Sequence, residues 1–75
     1  MNIKLYITRN IIGKVVEKRL LEVLNDIGIH VNLDVYYEDA SPTQGIIFTP
    51  TLLVNGQVMS TGKVLSKDEL TQIFM

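Results

Sequence analysis

The side chains of this 75-residue chain whose types could support acid–base or metal chemistry are His30, the tyrosines Tyr6, Tyr36 and Tyr37, and the carboxylates Asp34, Glu38 and Asp39. Acid–base catalysis needs a proton donor or acceptor set beside an activated nucleophile or a reacting group. None of the tyrosines has such a neighbour in sequence, so they read as packing residues with wet hydroxyls. His30 is the single histidine, starts a strand on its polar face and has no second ligand at metal spacing, so it reads as solvated. Asp34, Glu38 and Asp39 gather near the end of that strand, where neighbouring carboxylates ordinarily face water. No catalytic residue, metal or cofactor is assigned from these groups.

Cysteine is absent. That single fact excludes disulfides, thiolate metal ligands and a cysteine nucleophile together, and it fits a reducing, cytoplasmic setting. A chain this short must then hold itself together by packing alone, or with help from self-association. Nearly half its residues are apolar, enough for a compact domain that folds without a partner. Seven basic residues against eight acidic ones, with no basic stripe, argue against nucleic acid as a partner. The apolar runs, such as Gly45 to Phe48 and Leu52 to Val54, are too short to cross a membrane.

Periodicity locates the elements. Ile3, Leu5 and Ile7 alternate with Lys4, Tyr6 and Thr8, which predicts a strand over residues 2–8. From Ile12 the spacing becomes helical, through Val16, Leu20, Leu24 and Ile27, with Lys14, Lys18 and Glu22 on the wet side. This predicts an amphipathic helix of about four turns, with Asn10 as its N-cap and Gly28 as the left-handed residue that ends it. Gly13 in the first turn costs up to ~1 kcal/mol relative to alanine, so its missing side chain needs a reason. Val31, Leu33 and Val35 alternate with His30, Asn32, Asp34 and Tyr36, the pattern of a half-wet edge strand parallel to the first.

Between Tyr37 and Phe48, Asp39 or Ser41 can cap a short helix with Pro42 near its first position. Thr51 to Val54 and Gln57 to Ser60 flank Asn55-Gly56, the signature of a hairpin with a type I′ turn. Ser66 with Glu69 forms a capping box, and Leu65 with Leu70 a hydrophobic staple, ahead of a closing helix. The order is β-α-β-(α)-β-β-α, one α/β domain over residues 1–75 with a four-stranded mixed sheet flanked by helices. That order is the thioredoxin-like fold.

The segment from Phe48 to Leu70, with Thr49-Pro50 entering a strand, then Asn55-Gly56, then Gly62-Lys63 leading into the last helix, closely resembles the minimal thioredoxin/glutaredoxin-like family known as small redox-active disulfide proteins. The first strand, long helix and Gly28-Ile29 turn resemble the family more weakly. The resemblance implies a Cys-x-x-Cys where Asn10 and Gly13 stand, so the family's thiol chemistry does not carry over. It also implies a cis Thr49-Pro50 peptide, against a prior of only ~5% for any X-Pro bond, and a groove in which Thr49 pairs with bound peptide or glutathione. A weaker resemblance, through Leu5-Tyr6-Ile7, Asn10 and Thr49 to Leu52, is to KaiB, a cysteine-free thioredoxin-like protein that binds other proteins.

Taken with the resemblance, these residues give a non-catalytic protein- or peptide-binding module, its groove formed by Asn10, Ile11, Gly13, Thr49 and Pro50. Glutathione or small-molecule binding without thiol chemistry is the alternative, and a structural homodimer is another. Ile11 with Ile46 or Ile47 is expected to form an exposed apolar patch. Two accounts of Gly13 stay open, a partner's close approach or drift after cysteine loss. Cysteines placed at positions 10 and 13 are expected to restore some thiol activity.

Overall fold

A computed structural model describes residues 1–37 and 48–75. Its elements are β1 (Asn2–Ile7), α1 (Ile11–Ile27), β2 (Asn32–Tyr37), β3 (Thr51–Val54), β4 (Gln57–Thr61) and α2 (Lys67–Phe74). The sheet runs β2-β1-β3-β4, with β1 and β2 parallel and the other pairs antiparallel. This is the expected α/β thioredoxin-like architecture. The expected cap at Asp39 or Ser41, the proposed turn at Pro42, and the residues Glu38, Ile46 and Ile47 lie outside the described residues.

Strand alternation sorts β1 cleanly: Ile3, Leu5 and Ile7 are buried, while Asn2 and Lys4 are exposed. The register aligns Ile3 with Leu33 and Val54, and Leu5 with Val35 and Leu52, so one face of the sheet is apolar across β2, β1 and β3. Val16, Leu20, Val23 and Leu24 of α1, with Leu65 and Leu70 at and within α2's start, pack on that face and complete the core. Each fully buried leucine or isoleucine contributes about 1.5–3 kcal/mol, a large quantity against the ~4–11 kcal/mol that a chain of this size holds in total. On the opposite face, the rings of Tyr6 and Tyr36 stack with centroids 4.9 Å apart.

Local chemistry fixes the turns. Gly28 is left-handed (φ 76°) and donates its amide to the Leu24 carbonyl, closing α1. Asn55 and Gly56 both have positive φ, as a type I′ hairpin requires. Asn55 also ties the hairpin to the start of β1: its amide donates to the Asn2 carbonyl at 2.7 Å, and its side-chain oxygen accepts from the Asn2 amide at 2.9 Å. One expectation fails at the head of α1. Ile12, placed in the buried stripe by its spacing, is 55% exposed, because Gly13 takes the buried position at that turn.

α2 is held to α1 by the Arg19 guanidinium, which donates to the Leu65 carbonyl at 3.2 Å, and by the Lys67–Glu22 ion pair at 2.5 Å. Ser66 and Glu69 form the full capping box, and Glu69 also pairs with Lys63. The Lys67 hydrogen bond holds Glu22 below its ordinary pKa, and the Lys63 hydrogen bond followed by the Ser66 amide does the same for Glu69. A carboxylate whose folded pKa is depressed contributes stability above its unfolded pKa and loses it as pH falls through the folded one. The melting temperature is therefore predicted to fall on acidification below the ordinary carboxylate pKa, and to fall less steeply in a Glu22→Gln/Glu69→Gln double variant. Parallel curves for the two proteins in a thermal melt series would contradict this, and the effect is small because both pairs are exposed.

Candidate functional site

Thr8, Arg9 and Asn10 carry the chain from the end of β1 into α1. Asn10 is extended (φ −136°), its side-chain oxygen accepts from the Gly13 amide at 2.8 Å, and its carbonyl accepts from the Lys14 amide at 3.0 Å. It is an N-cap, satisfying one of the free amides of the first turn.

Gly13 is buried directly over the β1–α1 connection. A Cβ built on it would sit 1.9 Å from the Thr8 carbonyl oxygen and 3.0 Å from the Thr8 carbonyl carbon. The group that excludes a side chain here is thus the chain's own backbone. Of the two accounts left open for Gly13, neither a partner nor drift is needed. The expectation about restored cysteines changes with it: a thiol at position 13 requires Thr8 to be displaced first.

The second half of the site enters β3. The Thr49–Pro50 peptide is cis. Two straps fix the turn: the Thr51 hydroxyl donates to the Phe48 carbonyl and meets the Thr61 hydroxyl at 2.8 Å, and the Gly62 amide donates to the Pro50 carbonyl at 2.9 Å. Thr51 is the buried polar residue of the core, at 7% exposure, and its hydroxyl is satisfied. The sequence reading gave Thr51, Thr61 and Gly62 no part in the site: the Asn55-Gly56 turn alone would set Thr51 opposite Ser60, and the bulge at Met59 brings Thr61 there instead.

These two segments meet across a cleft of about 210 Å³, with Ile7, Thr8, Asn10, Ile12 and Gly13 on one side and Thr49 and Pro50 on the other. Four of the five expected groove residues therefore come together. Ile11 does not line the cleft: it is 81% exposed and stands outside it, and Ile12 takes its place in the wall. Phe48, 61% exposed, adds apolar surface just before the Thr49–Pro50 step. The cleft is smaller than the roughly 300–1,000 Å³ of ordinary small-molecule pockets, and suits a side chain or two rather than an enclosed ligand.

The groups that could do chemistry lie elsewhere. The Tyr37 hydroxyl donates to the Glu17 carboxylate at 3.1 Å, which raises the phenol's pKa, and Arg9 lies 5.0 Å over the Tyr37 ring. His30 and Asp34 are exposed, and among the described residues no cluster of three potential metal ligands occurs. A wider depression of about 470 Å³ opens between β4 and α2, lined in part by Met59, Leu65 and Ile73. It is shallow, and its rim charges, Lys63 and Glu69, are already paired with each other. Among the described residues, no helix is long and apolar enough to cross a membrane.

A four-stranded mixed sheet, an α1 N-terminus at the end of β1 and a Thr-Pro step facing it define the thioredoxin-like class of α/β proteins. The family described as Thioredoxin domain matches residues 1–75, and the chain belongs to that family. It is a member without cysteine. No curated protein and no solved structure gives a significant match.

Gly13→Ala separates helix propensity from packing. Propensity alone favours alanine by up to ~1 kcal/mol, whereas overpacking against backbone costs about 1–3 kcal/mol. The variant is predicted to be less stable in urea unfolding. A rise in the midpoint would show that Thr8 yields freely.

Proposed function

We propose that this protein is a non-catalytic member of the thioredoxin domain family that binds an extended segment of a protein or peptide in the cleft between Asn10–Gly13 and Thr49–Pro50. The observation that carries the reading is a formed cleft, with its Thr-Pro wall strapped in place, in a chain with no cysteine to act as nucleophile. The β3 ladder with β1 ends at Thr51, so the amide and carbonyl of Thr49 stand outside it and suit pairing with an incoming strand. Thr8 and Thr49 are the cleft's hydroxyl side chains, and no base stands among the lining residues to activate them. A thiolate stabilised by a helix N-terminus is the family's chemistry, and here the Asn10 side chain occupies that position as a cap. The absence of cysteine suits a reducing compartment, and the proposal places the protein in the cytoplasm.

Glutathione held without thiol chemistry is the second reading, favoured by the family and disfavoured by the small volume. The two separate in one experiment. A random peptide library displayed on phage is selected on the protein, and the best peptide is titrated into ¹⁵N-labelled protein in parallel with glutathione. The proposal predicts that the peptide shifts the amides of Thr8 to Gly13 and Thr49 to Thr51, and that Ile12→Trp, which fills the cleft, weakens binding at least tenfold, or about 1.4 kcal/mol. Peptides that shift other surfaces, or none selected while millimolar glutathione saturates these amides, would replace the peptide reading by the small-molecule one.

A further inference from the structure

The sheet has two outer strands, and they differ. β4 is irregular: it steps from Ser60 to Val58 while β3 steps from Leu52 to Leu53, leaving a bulge at Met59. Bulges bend an edge and blunt its pairing with other chains. β2 pairs with β1 without interruption over all six residues, from Asn32 to Tyr37. It contains no proline or glycine and a single charge, Asp34. Among the described residues nothing pairs with its outer side, so alternate amides and carbonyls along it point away from the sheet as a template for another strand.

Apolar surface continues from that edge onto the helix. Leu33 and Val35 are half-buried, and Tyr37 is 42% exposed. Glu17 of α1 bonds to Tyr37, so this flank of the helix overhangs β2, and Leu21 one turn further along the same flank is 48% exposed. The other flank is taken: Arg19 reaches the Leu65 carbonyl just ahead of α2, and Glu22 pairs with Lys67 of α2.

We infer that β2 is a self-association edge, pairing antiparallel with β2 of a second copy about a twofold axis to make one eight-stranded sheet with α1 and α2 of both copies on one side. The sequence of β2 selects the register. Centred on Asp34, the pairing sets two carboxylates opposite each other, which is destabilising. Centred on Val35, it sets Val35 opposite its twin, Leu33 opposite Tyr37 of the second copy, and Asp34 opposite the Tyr36 of the second copy, whose hydroxyl can donate to it. That centre also leaves one β2 residue outside the ladder, Asn32 on each strand, and brings the Leu21 flanks of the two α1 helices toward each other. An isologous contact of this kind closes at two copies. The strands run antiparallel, so the two Asn10–Thr49 clefts lie at opposite ends of the joined sheet and stay open. The inference is independent of what those clefts bind.

The test is sedimentation velocity over a concentration series with a NOESY spectrum of the associated species. The expected mass is twice the 8.5 kDa of the chain, lost in Val35→Lys, which opposes two ammonium groups at the centre, and in Leu21→Glu, which leaves the strand untouched. Circular dichroism of each variant verifies the fold. Leu33 and Tyr37 are four residues apart on one strand, about 13 Å, so a cross-peak between the Leu33 methyls and the Tyr37 ring arises only between copies and is expected. A monomer at every concentration overturns the inference, as does a dimer that lacks this cross-peak and survives both substitutions.

Discussion

The contact between Gly13 and the Thr8 carbonyl sets the position of α1 on the sheet, and the site follows from it. Only a residue without a Cβ lets the first helical turn rest directly on the main chain leaving β1. That seating aims Asn10 at the free amides of the turn, buries Val16 and Leu20 one and two turns later, and leaves Ile12 on the wall of the cleft. Sacrificing helix propensity at Gly13 is offset by packing along the remainder of the helix, where Val23 and Leu24 complete the apolar layer over Ile3 and Leu5. The opposite wall is equally determined by backbone bonding, since the Thr51 hydroxyl and the Gly62 amide hold the carbonyls on either side of Thr49.

The consequence is a site whose shape does not require a thiol. A thiolate at a helix N-terminus needs a cysteine, and this chain has none; the Asn10 side chain accepts from the Gly13 amide in its place. The cleft walls are made of Ile7, Thr8, Asn10, Ile12 and Gly13 on one side and Thr49 and Pro50 on the other. A formed cleft and thiol chemistry are therefore physically separable, and membership of the family does not by itself fix a function.

Much of the fold was legible because local signals agreed with one another. The alternation in β1, the Asn55-Gly56 turn, the Ser66–Glu69 box and Gly28 after Ile27 each specify geometry through their own side chains, and each stands where it was read. The placement of Ile12 and Ile11 was less legible, since helical spacing gives a face but not how closely the helix sits on the sheet, and that distance depends on Gly13 meeting Thr8. Thr51 and Thr61 were missed for a related reason: their hydroxyls meet only after the hairpin pairs, and nothing in either strand alone marks them. The strand order that leaves β2 as an uninterrupted edge likewise emerges only from the assembled sheet.

Amide hydrogen exchange at Thr49, compared between free protein and protein saturated with a selected peptide, tests the central claim most directly, because it reads the backbone pairing on which the proposed binding depends. Strand addition at the cleft predicts that the Thr49 amide, exchanging freely in the unbound protein, slows markedly in the complex. An unchanged Thr49 amide, with protection gained instead along β4 or β2, would contradict the account and move recognition from the cleft to a sheet edge.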